Sequence, residues 1–199
     1  MRLCKGNADW SLSPTYPKQI VVPAEMSLTD LEDCAKSRTR GRIPILSYYC
    51  KQNGATLWRS SQPREGIVGG VTKSDKKMMK SIANTSALNK GKELMAVESR
   101  KENATFHIYD ARSKLAAFAN MIRGSGYENI SEYPFAWLKF CDIPNIHTMR
   151  ASYIKMLGLC NDPLSPHWLD KLDRSEWLNH ISVIIRSSKE MADSINVFQ

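Results

Sequence analysis

The stretch from Thr105 to Arg150 fixes the fold class, because strand-like runs alternate in it with helix-like ones. Thr105–Tyr109 (Thr-Phe-His-Ile-Tyr) strings together β-branched and aromatic residues and predicts a strand. Ser113 then offers an N-cap for a helix that carries Leu115, Phe118, Ala119 and Ile122 on one face. Gly124 and Gly126, just past Arg123, end that helix, since glycine takes a positive φ without a Cβ clash. Ala136–Cys141 predicts a second strand, and the chain from Ile146 onward a second helix. Strand, helix, strand, helix is the pattern of an α/β fold with a central sheet flanked by helices. In such sheets ligands bind beyond the carboxyl ends of the strands. Asp110 and Asn145 stand at such ends. Asp110 with Arg112 is either a positioning pair or an ordinary strand-end turn.

Upstream, residues 1–17 hold Gly6, Asn7, Ser11, Ser13 and Pro14 and predict an irregular lead-in. Gln19–Val22 predicts a short strand closed by Pro23, and Ser27 with Asp30 forms a near capping box ahead of Leu28, Leu31 and Ala35. Ile43–Cys50 predicts a strand, with Pro44 at an edge or irregular point. Asn53-Gly54 turns it into a hairpin that returns through Ala55–Arg59. From Gln62 to Asn103 the texture is lysine-rich and includes Gly69-Gly70. Met78, Met79 and Ile82 predict one face of a helix starting near Ser74, and Asn84–Asn103 a solvated loop. Around and beyond Arg150, Met149, Tyr153, Met156 and Leu157 form a helical stripe expected to pack in the core. Ser165-Pro166 opens a short helix, and Ser175 the longest one, with Trp177, Leu178, Ile181, Ile184, Ile185, Ala192 and Ile195.

A chain of 199 residues suits one domain, residues 1–199, with a sizeable core. Its five cysteines are odd in number and show no Cys-x-x-Cys spacing. That predicts reduced thiols in a cytosolic setting, and no metal site or other cofactor is expected. No run is long enough to span a bilayer. The first residues lack an apolar signal region, and Arg2 stands where myristoylation needs glycine. The net charge of +8 suits an anionic partner, or is simply a solvated surface. Lys36, Arg38, Arg40 and Arg42 make the densest basic patch. No aromatic interleaving or nucleic-acid motif accompanies it, so no nucleic acid is expected as a partner.

Several words occur in an order that is far more specific than any one of them. They are Asp110-Ala111-Arg112, Asn120, Gly124-x-Gly126-Tyr127-Glu128 and Asn145-Ile146-His147-x-Met149-Arg150. Before them stand Tyr16-Pro17, Val22-Pro23, Arg42-Ile43-Pro44-Ile45-Leu46-Ser47-Tyr48 and Arg59-Ser60-Ser61-Gln62-Pro63; after them stands Trp177-Leu178-x-His180-Ile181. From about Trp10 to the last helix the chain resembles the myotubularin family, cysteine-dependent phosphatases that remove the 3-phosphate of phosphoinositides. The resemblance implies a dual-specificity-like phosphatase fold and substrates such as phosphatidylinositol 3-phosphate and phosphatidylinositol 3,5-bisphosphate. It also implies a cysteinyl-phosphate intermediate without a metal. Asn120, Asn145 and Ile146 would line the head-group pocket, although Ser125 replaces a glycine common in the family. Partners would be a phosphoinositide head group, an anionic membrane surface and a second family member, with a cytoplasmic, membrane-peripheral location.

Such chemistry needs a thiolate and an arginine six residues later, with backbone N–H groups wrapping the phosphate at a helix N-terminus. Six residues after Cys4, Cys50, Cys141 and Cys160 come Trp10, Thr56, His147 and Pro166. Only Cys34, with Arg40, fits the spacing. Its loop has no glycine and falls in a predicted helix, so it is expected not to be the nucleophile. The resemblance places the family's catalytic word after the helix ending at Ser194–Gln199. The expectation is therefore an incomplete phosphatase domain, a fragment or truncated form inactive alone, whose strands beside the missing one keep an unpaired edge. A non-catalytic regulatory or adaptor partner of an active member is the alternative, and a basic nucleic-acid binder the third reading. His147 is expected to be structural.

Overall fold

The computed structural model describes residues 1–64, 71–86, 106–122 and 124–196. The expectations for Gly69-Gly70, for the loop beyond residue 86 and for Thr105 lie outside these residues, as do Val197-Phe198-Gln199.

The lead-in is more ordered than its composition suggests. Strand β1 (Arg2–Cys4) pairs antiparallel with β2 (Ile20–Val22), Leu3 facing Val21. Three residues are too few to show a period, so β1 left no signal. The intervening loop is tied by the buried Asn7, whose amide donates to the carbonyls of Ser13, Tyr16 and Pro17 and whose Oδ1 accepts from the Ser13 N–H. One side chain thus satisfies four backbone groups that the loop would otherwise bury unpaired.

Helix α1 (Leu28–Ser37) starts where the capping box puts it. Ser27 accepts from the Asp30 N–H at 3.1 Å, and Asp30 accepts from the Ser27 N–H at 2.9 Å. Lys77 and Ser27 hold the Asp30 carboxyl down to about 2. Leu31 and Cys34 face inward. Strands β3 (Ile45–Tyr49) and β4 (Thr56–Arg59) form the hairpin, with a bulge between Leu46 and Tyr48. Gly54 takes φ 74°, and Asn53 Oδ1 accepts the Ala55 N–H at 2.9 Å. Helix α2 (Lys73–Ala83), capped by Thr72, lies against α1. The core joins Val22, Met26, Leu31, Ile43, Met78 and Tyr133.

The second half is the strand–helix unit expected. Strand β5 (Phe106–Asp110) pairs parallel with β6 (Ala136–Phe140) in register from Phe106/Ala136 to Asp110/Phe140. Helix α3 (Lys114–Ile122) connects them, with the Ser113 hydroxyl accepting the Ala116 N–H. Gly124, at φ 82°, ends it. Helices α4 (Ile146–Cys160), α5 (Trp168–Arg174) and α6 (Trp177–Asn196) follow and pack on one another. None of the described helices is long and apolar enough to cross a membrane. All five cysteines are free, and only Cys160 is exposed.

Two expectations need correction. The strands do not form one central sheet: among the described residues they make three two-stranded ladders, β1–β2, β3–β4 and β5–β6. A cleft, not a strand pairing, separates β4 from β5. The apolar helix stripes also face outward. On α3, Leu115 is 79% exposed, Phe118 and Ile122 are exposed too, and the buried residue is Ala117. On α4, Tyr153 and Leu157 are exposed while Ser152 and Leu159 are buried. Periodicity reveals that a helix has an apolar face, not whether the same 199 residues cover it.

Candidate functional site

The carboxyl ends of β4 and β5 converge at one polar pole. Past β5, the Arg112 guanidinium grips Asp110 with two bonds, Nε to Oδ1 at 2.9 Å and NH2 to Oδ2 at 2.6 Å. Asp110 Oδ1 also accepts the Arg112 N–H. With its fork so oriented, Arg112 reaches the side-chain oxygen of Gln62 beyond β4 and, at 2.9 Å, the carbonyl of Gly126. The Gly126 N–H in turn donates to Pro63. Asp110 and Arg112 are therefore a positioning pair that draws three loops together, and the strand-end-turn reading is too small for it. Bidentate geometry gives such a pair its direction as well as its strength.

Behind the pole lies a buried ion cluster that sequence reading missed. Arg38, counted above in a basic surface patch, is 0% exposed. It donates to both oxygens of Asp75 at 2.9 and 2.7 Å and to Glu128 Oε1 at 2.6 Å. Its NH1 also reaches the Ser60 hydroxyl and the Ser61 carbonyl. The Tyr133 hydroxyl completes the group by donating to Asp75 Oδ2 at 3.0 Å. Burial works against the Arg38 cation, but Glu128 and Asp75 outweigh it and raise its pKa. Burial raises Glu128 despite the pull of Arg38. Burial and Asp75 raise the Tyr133 hydroxyl, which stays a donor. The partners are 37 and 90 residues from Arg38, so no local pattern pairs them. The one sequence hint was Asp75, an acid on the core side of a helix whose other inward residues are Met78, Met79, Ile82, Ala83 and the small Ser81.

Cys34, the one cysteine with an arginine at the required spacing, is placed where it cannot serve. It is fully buried inside α1, and burial and the Asp75 charge push its thiol up to about 12. A phosphatase nucleophile needs the opposite shift, toward the thiolate. Arg40 sits in a 3-10 turn (Thr39–Gly41), at φ 58°.

The three head-group candidates approach the same pole by separate routes. Asn120 lies in the last turn of α3, half-buried, and its carbonyl accepts the Ser125 N–H at the start of the loop that carries Gly126. Asn145 is exposed and caps α4: its Oδ1 accepts the N–H groups of His147 and Thr148 at 2.9 and 3.0 Å. The segment before it is stitched to β5's end, Ile143 N–H donating to Ala111 and Cys141 N–H to Asp110. Ile146 is 77% exposed. None of the three lines the cleft between β4 and β5. His147 is exposed beside them, contributing its backbone to the cap.

Comparison with known proteins gives a consistent match. A family model described as a myotubularin-like phosphatase domain matches residues 1–199. Myotubularin of Xenopus laevis is 35% identical over 190 residues, covering 95% of this chain and 29% of that protein. Phosphatidylinositol-3,5-bisphosphate 3-phosphatase MTMR2 of Mus musculus is 36% identical over 195 residues, 98% of this chain and 28% of that protein. The MTMR8 enzyme of Gallus gallus, described by the same activity, is 36% identical over 191 residues. The chain spans under a third of the length of these relatives.

Proposed function

The chain belongs to the myotubularin-like phosphatase family, and on that premise we propose that it builds the head-group side of a phosphoinositide 3-phosphatase site. The substrates would be phosphatidylinositol 3-phosphate and its 3,5-bisphosphate on an anionic cytoplasmic membrane face. The observation that supports this reading is the polar pole. Arg112, fixed by Asp110, organises the loop around Gly126 beside the turns bearing Asn120 and Asn145. An inositol ring offers hydroxyls that donate and accept, and a neutral carboxamide answers both. Asn145 Oδ1 is committed to the α4 cap, so its amide N–H groups are what it would present to a ring oxygen.

These 199 residues, on this reading, position substrate and do not attack it, because Cys34 is inert. Liposomes containing phosphatidylinositol 3-phosphate should release no phosphate above background with the chain alone; turnover abolished by Cys34→Ser would overturn that. The positioning role is tested by fusing the chain to the remainder of the Mus musculus relative and measuring kcat/KM. Asn145→Ala should cost about 5- to 150-fold on the lipid, equivalent to about 1–3 kcal/mol. A small aryl phosphate, having no inositol ring, should be affected far less. Equal losses on both would make Asn145 structural only.

A second reading, a non-catalytic regulatory or adaptor partner of an active family member, is favoured by the same inert Cys34. It predicts binding to the active relative without turnover, measured by co-sedimentation. Nucleic acid is the least supported partner, since Arg38 is withdrawn from the basic patch that suggested it.

A further inference from the structure

The chain from Ser125 to Glu128 forms neither helix nor strand, yet each of its residues is tied to a different part of the molecule. The Ser125 N–H donates to the Asn120 carbonyl at 3.1 Å, and the Gly126 N–H to Pro63 at 2.8 Å. The Gly126 carbonyl accepts from Arg112 at 2.9 Å. The Tyr127 ring stands edge-on to Phe140 at the end of β6, with centroids 5.3 Å apart. Glu128 Oε1 accepts from Arg38 at 2.6 Å, in an ion pair whose side chains are 9% and 0% exposed.

Arg38 and Arg112 therefore grip the same two loops at different depths. Arg38 NH1 joins Glu128 to the Ser60 hydroxyl and the Ser61 carbonyl. Arg112 joins Gly126 to Gln62. Arg38 is fixed in turn from α2, where its Nε and NH2 hold both oxygens of Asp75. A planar fork can serve Asp75 along one edge and Glu128 along another, which the single nitrogen of a lysine cannot. What the loop then places is Asn120. Helix α3 buries only Ala117, so apolar packing does little to fix its last turn. That turn is held by the loop instead, through Ser125 N–H on Asn120 and Gly124 N–H on Met121. Asn145 is reached by another route, the segment bonded to Asp110 and Ala111.

We propose that Arg38, acting through Glu128, is a positioning residue for the lipid head group: the buried pair sets where the Gly124–Glu128 loop lies, and so where Asn120 meets the inositol ring. The inference rests on the head-group reading above and adds to it two residues that touch no substrate. A pair that merely stabilised the core would favour neither carboxamide. A pair acting through Ser125 affects Asn120 and leaves Asn145 to its own anchor. Small displacements of a substrate-holding group are costly even when their source lies away from the chemistry.

The test uses the fusion to the remainder of the Mus musculus relative, assayed on phosphatidylinositol 3-phosphate liposomes and on a small aryl phosphate. Glu128→Ala releases the loop and leaves Arg38 paired with Asp75. It should lower the lipid-to-aryl ratio of kcat/KM by roughly tenfold, chiefly through a higher KM for the lipid. Glu128→Gln keeps an acceptor at the same reach and should recover most of that ratio. The loss should not multiply with that of Asn120→Ala, since both act at one contact, and should multiply with that of Asn145→Ala. On the 199-residue chain, Glu128→Ala should speed hydrogen exchange at Ser125 and Gly126 by roughly tenfold while Leu31 and Met78 keep their protection. If Glu128→Ala does not fold, Glu128→Asp, one methylene shorter with the charge kept, carries the same comparisons. Equal losses on both substrates, a loss that multiplies with Asn120→Ala, or an unchanged ratio where Asn120→Ala lowers it would overturn the proposal. An Asn120→Ala ratio equal to that of the unmodified fusion would overturn the head-group reading itself, and the proposal with it.

Discussion

At the scale of single residues, Arg38 has the largest consequence. It compensates two carboxylates with one cation inside the core, and the Tyr133 hydroxyl donates to one of them, Asp75. Removing one partner of such a buried pair costs far more than the pair contributes, because the other charge is left unanswered. Arg38→Leu should therefore lower unfolding free energy by about 3–5 kcal/mol, read from urea midpoints at pH 7; a loss below about 1 kcal/mol would mean that the cluster relaxes or hydrates. The pH dependence has a definite sign. Burial raises Glu128 in the folded protein, so the folded state favours the protonated form more than the unfolded chain does. Stability from this group is complete below the ordinary carboxylate value and is lost as pH rises toward the folded value. Without Arg38 to oppose burial, that window widens. The deficit of Arg38→Leu should thus shrink between pH 7 and pH 5, measured against the unmodified chain at each pH. Asn145 offers a second separation at this scale. Serine also caps helices, so Asn145→Ser should leave the melting temperature nearly unchanged, while Asn145→Ala should cost about 0.5–2 kcal/mol.

At the scale of elements, what was legible was local. The Ser27–Asp30 box, the Asn53-Gly54 turn, the Ser113 cap and Gly124 each act within a few residues of their own position, so sequence placed α1, the hairpin and α3 closely. Ser27→Ala should cost about 1 kcal/mol and fray α1 from its first turn, seen as faster exchange at Asp30 and Leu31. What was not legible depends on partners far along the chain. Nothing within β1 marks three residues as a strand; β2 does, from sixteen residues away or more. Nothing near Arg38 distinguishes it from Arg40 and Arg42, which stay on the outer side. The candidate site divides the same way. Asp110 and Arg112 were readable as a pair because they are two residues apart, while Gln62 and Gly126, which Arg112 joins, were not.

At the scale of the molecule, three helices turn apolar stripes outward. Leu115, Phe118 and Ile122 on α3, Ile146, Tyr153, Ile154 and Leu157 on α4, and Leu178 and Ile185 on α6 are all exposed. Single exposed apolar residues are ordinary, but three helices each showing a stripe mark surface that seeks cover. The ladders, each of only two strands among the described residues, add a second route to association. Against both stands the net charge of +8, which makes like molecules repel. The balance therefore depends on salt. Repulsion between surface charges is screened over about 8 Å at physiological ionic strength and over about 30 Å at 0.01 M, whereas apolar burial is not weakened by salt. Sedimentation velocity on the 199-residue chain should show mass shifting from monomer to larger species as sodium chloride rises from low to physiological levels, with a broad thermal transition. A chain that stays monodisperse across that range and melts sharply would show that its exposed stripes are tolerated as surface, and that the region needs no cover.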